Sequence, residues 1–386
     1  MNKEERLNKY LAYLNHYDIR PCTAQYLWWF YYLQDHLPNT HFILNEDYLN
    51  VDKNRWEYKK YQTAPYKYRN PEELNTKNYT ILKRFNDYPE ILHERIPSKI
   101  LQKAVSVPNK YLVSDIKDVI RVEDVTAAIT WCNNASLKAA CQLCEIPVIH
   151  NESGAIRSPW FKDTCYFDFN GVNGETSFFD RFTEFNKISD KVKIFSREEL
   201  LKIITPKGNQ EYLFKCINTK PTYDCGVALQ VDVDTNVLAY NYEVQEADIV
   251  NLAVKNFKKV LVRNHPLSSL GYMRPASLGL GEVDTSKNAW EFISKCEHIW
   301  TLNSSTAFEA LLMGRKVHIE GSNPFYSMQH WEGETLLKGL NFAIFSYLMP
   351  TPRLYNEDYY NFRMSCFNEE EIYNEGQRYW LEKDWI

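Results

Sequence analysis

The feature that most constrains this chain is an alternation of strand and helix patterns that occurs twice. Residues 126–131 read as a buried strand, Asn133 and Asn134 make a turn, 135–144 repeat at helical spacing, and 147–150 are again strand-like. Strand, helix and strand in so short a span predict a parallel crossover. The same grammar returns after Tyr212 and runs longer. Strands are expected at 227–233, 260–263, 298–302 and 316–319, with helices at 244–257, 286–296 and 306–313 between them. Repeated alternation of this kind predicts a doubly wound parallel sheet in each half, and such sheets bind ligands beyond the carboxyl ends of their strands. The expected fold is α/β and GT-B-like, with two Rossmann-like domains facing a central cleft. The boundaries expected are 1–205 for the N-terminal domain and 206–350 for the C-terminal one, with 351–386 as a tail packing back on the N-terminal domain.

A chain of 386 residues, 44% hydrophobic and 25% charged, has material for two cores. Its formal net charge of -5 offers no general field for nucleic acid, so any anion site must be local. No stretch approaches the roughly 20 apolar residues that cross a bilayer. The polar start from Met1 to Arg6 is no secretion signal, which points to the cytoplasm, with a peripheral position at the inner membrane compatible. Leu7, Tyr10, Leu11 and Leu14 recur at helical spacing and predict an opening amphipathic helix. Pro21 separates it from a second at 24–36, and polar loops with short helical patterns follow to 97. Cys141 and Cys144 form a C-x-x-C inside an Ala/Leu helix pattern. No second such pair completes a zinc site, so they read as buried helix-face thiols in a reducing compartment, and no metal is expected. Tyr26, Trp28, Trp29, Tyr31 and Tyr32 crowd the first segment, as sugar-facing rings or as core. The ending at Trp385-Ile386 is compatible with one module of a longer polypeptide.

Four constellations carry chemistry. Leu302 leads through Asn303 into Ser304, Ser305 and Thr306, then a short helix closed by Gly314. A strand end that delivers hydroxyls and a helix start suits a phosphate; a plain N-cap is the alternative. Arg263-Asn264-His265-Pro266 ends another strand of the same half, with His265 either a phosphate ligand or a capped structural histidine. In Gln230-Val231-Asp232-Val233-Asp234, strand alternation would put Gln230, Asp232 and Asp234 on one face. Asp234 also suits a turn, whereas Asp232, deeper in the strand, is the better nucleophile. Glu152, as general base, and Arg157, as a bidentate partner for a sugar carboxylate, follow an N-terminal strand; a surface salt bridge is the alternative.

Over residues 126–326 these pieces resemble the retaining β-Kdo transferases of bacterial capsule and lipopolysaccharide (O-antigen) biosynthesis. The resemblance is carried by Glu152, Gly154, Arg157, Gly171 and Asn173, by Gln230, Asp232 and Asp234, and by His265 and Pro266. It continues through Ser304 to Gly314 and then Gly321, Pro324, Phe325 and Tyr326. It implies a metal-independent retaining glycosyltransferase with no cofactor beyond its CMP-Kdo donor. That donor would be held in the C-terminal half by Gln230, Arg263, His265, Ser304, Ser305, Thr306 and Tyr326, with Arg157 reaching it from the N-terminal half. It further implies Asp232, Glu152 and His265 as the catalytic set, with double displacement through an aspartate–Kdo adduct. The partners implied are CMP-Kdo and CMP, a glycan or lipid-linked glycan acceptor, other glycosyltransferase modules of the same polypeptide, and no nucleic acid. The rival readings are a sialyltransferase using CMP-sialic acid and a non-catalytic glycan-binding module.

Overall fold

The computed structural model describes residues 8–13, 32–46, 78–231, 234–265 and 280–382. The chain forms two compact units. Unit 1 comprises residues 1–152, 168–171 and 352–365, and unit 2 comprises 153–167, 172–351 and 366–386. Among the described residues, no helix is long and apolar enough to cross a membrane.

Unit 1 is built on parallel strands β1 (Tyr10–Tyr13), β2 (Thr40–Leu44), β3 (Tyr79–Ile81), β4 (Ala127–Trp131) and β5 (Val148–Ser153). They lie in the order β3-β2-β1-β4-β5. The first strand sits in the middle, with Tyr10 facing Thr40 on one side and Ala127 on the other. This overturns the opening helix expected from Leu7, Tyr10, Leu11 and Leu14, of which Leu7 and Leu14 lie outside the described residues. Tyr10–Tyr13 is buried at all four positions. A central parallel strand is covered on both faces and so reads as continuously apolar, a pattern that spacing alone does not separate from a buried helix. The second expected helix is described only at 32–36, where the chain is helical.

Helix α1 (Ala135–Leu143) joins β4 to β5 as the sequence predicts, started by Asn134, whose side chain accepts from the Leu137 amide. Cys141 is fully buried on it, and burial pushes its thiol up, away from the reactive thiolate. Helix α2 (Glu357–Ser365) returns to this unit, where Tyr360 donates to Asn151 across 3.0 Å.

Unit 2 carries β6 (Tyr223–Ala228), β7 (Val260–Arg263), β8 (Glu282–Val283), β9 (Cys296–Thr301) and β10 (Lys316–Ile319). All pair in parallel, in the order β10-β9-β6-β7-β8. The crossovers include helices α3 (Thr235–Tyr240), α4 (Glu246–Asn256), α5 (Ala289–Ser294) and α6 (Thr306–Leu312). Helix α7 (Glu369–Glu382) closes the unit, with Trp380 donating to the Ile344 carbonyl and Arg181 paired with Glu369 at 2.6 Å.

The α/β class with two Rossmann-like sheets is thus what the chain adopts. One expected boundary moves. The strand placed at 227–233 ends at Ala228, so Gln230 and Asp234 do not alternate along a strand face. Asp234 instead caps α3, accepting from the Asn236 amide at 2.8 Å. A carboxylate that accepts an orphan helix amide is stabilised there, which strand alternation does not anticipate.

Candidate active site

In unit 2 the first strand is central. The chain winds outward through β7 and β8 on one side, then crosses back to β9 and β10 on the other. The reversal opens a crevice between the carboxyl ends of β6 and β9, where α/β sheets bind ligands. The residues that leave these two strands are the ones the sequence singles out.

From β6 come Gln230 and Asp234. Gln230 is buried, and its amide is consumed by the neighbouring strand end. It donates to the Asn303 side-chain oxygen and accepts from the Asn303 amide, both at 3.0 Å. Its own backbone amide donates to Glu246 in the first turn of α4. Asp232 lies outside the described residues.

From β9 come Asn303, Ser304, Ser305 and Thr306. The sequence predicts free amides at this helix start, and the structure corrects that. The Thr306 amide donates to the Ser304 hydroxyl at 3.2 Å, Ala307 to the Ser304 carbonyl and Phe308 to the Ser305 carbonyl. A serine turn followed by tight turn bonds satisfies the first amides internally. Ser304 also shares a bond with the Thr306 hydroxyl at 3.1 Å. Ser305, at the N-cap position, makes no side-chain capping bond, so its hydroxyl is the one in the turn left for a ligand.

Two loops close around α3. Gly174 sits where a Cβ would lie 2.3 Å from the Tyr240 ring, and a Cβ at Gly321 would lie 2.7 Å from the Tyr240 carbonyl oxygen. Glycine permits both approaches. Tyr240 donates to Glu175, the Ser322 amide donates to the Tyr240 carbonyl, and the Ser322 hydroxyl to the Gly174 carbonyl. Asn173, in the left-handed region at φ 55°, directly precedes the Gly174 loop. Tyr326 is exposed beyond it, while Phe325 stacks on Phe308 at 4.3 Å and anchors α6.

The cationic side has divided duties. Arg263 is committed to the buried Asp284 at 2.6 Å and to the Ser286 carbonyl. Arg157, in unit 2, spends its Nε and Nη2 on the carbonyls of Gly154 and Ser153. Both guanidiniums, with Asp234, act on His265. Burial is the largest influence and lowers its pKa, Asp234 opposes, and Arg157 and Arg263 lower it further. His265 is therefore neutral near pH 7.

Sequence reasoning missed Glu309. It lies on α6, and burial raises its carboxyl to about 7 against the pull of Arg157 and Arg263. Half protonated at neutral pH, it cancels only part of the arginine charge. The signal available in the sequence was a lone acid within an apolar helix that also carries Phe308, Leu311 and Leu312.

In unit 1 the equivalent reversal falls between β1 and β4. Tyr13 ends one strand. Cys132, in the left-handed region at φ 71°, leaves the other and donates its thiol to Glu152 at the end of β5. Glu152 thus lies at the ligand-binding edge of unit 1, and Arg157 belongs to unit 2. Among the described residues, no group of three or more His, Cys, Asp or Glu side chains is placed to hold a metal ion.

Comparison with known proteins adds one sequence match. Residues 12–177 match the Glycosyltransferase 99 family N-terminal domain. No curated protein matches the chain. Among solved structures, the Thermosulfurimonas dismutans KpsC beta Kdo 2,7 transferase is 15% identical, with 68% of this chain and 89% of that one covered at a TM-score of 0.38. The beta Kdo 2,4 transferase of the same organism's KpsC is 13% identical, with 56% and 78% covered and a TM-score of 0.38. A Methanocaldococcus jannaschii UDP-GlcNAc 2-epimerase is 12% identical, with 93% and 100% covered and a TM-score of 0.33. Likenesses at these identities and TM-scores establish no shared activity. The match over residues 12–177 is to a glycosyltransferase domain, and it supports a glycosyltransferase.

Proposed function

We propose that the protein is a retaining glycosyltransferase that moves Kdo from CMP-Kdo to a glycan or lipid-linked glycan acceptor. The reading is supported by Ser305 and the Asp234-capped helix, which leave the two strands of the unit 2 reversal, and by His265 in the field of Asp234, in a sequence whose motif order resembles the Kdo transferases. The match of residues 12–177 to a glycosyltransferase N-terminal domain supports it.

In this reading the donor phosphate takes hydrogen bonds from the Ser305 hydroxyl and the His265 N–H, within the field of Arg157. Hydrogen bonds to a developing phosphate charge in a partly desolvated site stabilise the departing CMP. The anomeric carbon of Kdo is quaternary and carries a carboxylate, so its transition state is oxocarbenium-like. The Asp232 carboxylate attacks it as the C–O bond to the phosphate breaks. The acceptor hydroxyl then displaces the carboxylate, its proton passing to solvent. Two inversions give retention.

The test is donor turnover with product configuration read by NMR. CMP-Kdo consumed with retention, and a Kdo adduct on the peptide holding Asp232, are the expected results. Asp232→Asn should lower transfer by orders of magnitude without changing the melting temperature. Turnover of CMP-sialic acid in preference to CMP-Kdo would move the assignment to a sialyltransferase, and an inverted product would overturn the double displacement.

A further inference from the structure

We infer that Gln230 and Asn303 form a positioning clamp across the strand reversal of unit 2, fixing the ligand-facing groups on both sides without touching the donor themselves. The inference rests on the donor reading above.

Register shows why a clamp is needed here. Ala228 pairs with Thr301, so Gln230 and Asn303 stand two residues beyond the end of the β6–β9 ladder. Past that point one chain turns into α3 and the other into α6. Diverging strand ends leave backbone donors and acceptors without ladder partners, and buried ones are costly unless paired. The Gln230 amide replaces the missing rung, using one end for the Asn303 backbone amide and the other for the Asn303 side chain, each at 3.0 Å.

Asn303 extends the bridge to two further segments. Its side-chain amide nitrogen donates to the Asn236 carbonyl at 3.1 Å and the Tyr240 carbonyl at 3.5 Å, both in α3. Its carbonyl accepts from Asn323 at 2.9 Å and from Asn236 at 3.3 Å. Asn303 is 1% exposed and Gln230 8%. The strand end, α3, the hydroxyl turn and the loop after β10 are thus tied to one buried amide pair. Both ends of each side-chain amide are engaged by protein, which leaves Gln230 a positioning role rather than the donor contact implied by its motif. Four residues after Gln230 comes the capping Asp234, and directly after Asn303 come Ser304 and Ser305. A shift of the pair moves both walls of the crevice.

A double-mutant cycle tests this, because a residue that positions Ser305 must couple to it. CMP affinity is measured by calorimetry for wild type, Gln230→Met, Ser305→Ala and the double variant, with a thermal melt of each. Ser305→Ala is expected to weaken CMP about tenfold in the wild-type background, the scale of a lost charge-assisted hydrogen bond. In the Gln230→Met background it should cost less than about twofold, because the hydroxyl is already displaced. Equal losses in both backgrounds would show Gln230 acting independently, as a direct donor contact or as general stability, and would overturn the clamp. Hydrogen exchange provides a readout that does not depend on the donor. Gln230→Met should speed exchange of the Ser304–Phe308 amides about tenfold while those of Ala289–Ser294 stay unchanged. Unchanged exchange at Ser304–Phe308 overturns the clamp even if affinity falls. Wild type that binds no CMP yet shows the exchange change would refute the donor reading and leave the clamp standing.

Discussion

Glu309 shows how one side chain can act against the stability of the fold that holds it. Its carboxyl has a pKa of about 7 in the folded protein against an ordinary 4.5, with burial the largest cause. Below pH 4.5 both states hold the proton and the difference vanishes. Above it the unfolded chain ionises first, so stability falls as pH rises toward 7 and stays lower beyond. A shift of that size is worth roughly 3 kcal/mol at pH 8. Glu309→Gln keeps the shape and removes the ionisation. It is expected to raise stability at pH 8 by about 1–3 kcal/mol and to change it little at pH 4.5, as read from urea melts at the two values. Equal effects at both pH values would show that the carboxyl is not held protonated by burial. The same residue defines what sequence could not supply. Asp234 was legible as a turn former because capping is local chemistry, whereas the state of Glu309 depends on burial and on Arg157, Arg263 and Trp290, none of which is near it in sequence.

At the scale of elements, legibility followed how much of the specification is local. The β4–α1–β5 crossover could be read almost residue by residue, because Asn134 is a strong N-cap and the strands flank it directly. Asn134→Ala should cost about 1 kcal/mol, seen as a lower melting temperature with no change in CMP affinity; no loss would mean that water or a neighbour replaces the cap. The strand β1 could not be read, because its pairing partners β2 and β4 are distant in sequence. The reversal point likewise needs the strand order, which residue patterns alone do not give. Gly321 lies at the same level. Its Cβ would stand 2.7 Å from the Tyr240 carbonyl, so Gly321→Ala must push the loop off α3. That move also strains the Ser322 bond to Tyr240. CMP affinity should fall at least about threefold, near 0.6 kcal/mol, with little change in far-ultraviolet circular dichroism. Undiminished affinity would detach this loop from the donor site.

Across the whole molecule, the histidines set the response to acid. His41, His150, His265, His298 and His318 all have lowered pKa values, each with burial as the largest cause. His150 is the extreme case. It is 1% exposed in unit 1, its Nδ1 lies 3.2 Å from the Asp168 carbonyl, and its pKa falls to about 4 from 6.5. The sign follows directly. Above pH 6.5 the imidazole is neutral in both states and the fold has its full stability. As pH falls below 6.5 the unfolded chain takes up a proton that the folded one refuses, so stability declines until the folded pKa is reached. For His150 alone that amounts to about 2 kcal/mol by pH 5. The other four histidines add losses of the same sign. Glu309 works in the opposite direction over the same range, since its folded form gains a proton readily. Between pH 6.5 and 5 that gain is about as large as the His150 loss, so the two nearly cancel in the wild type. Substituting His150 with Gln or Asn should remove its share of the loss below pH 6.5, so the variant gains stability relative to the wild type as pH falls, even if it is less stable at pH 7.5, because the proton uptake is gone while the packing cost is constant with pH. Urea melts of wild type and His150→Gln at pH 7.5, 6.0 and 5.0 measure it. Parallel declines in the two proteins would mean that His150 opens to solvent before it protonates, and the acid sensitivity would then belong to the other four histidines.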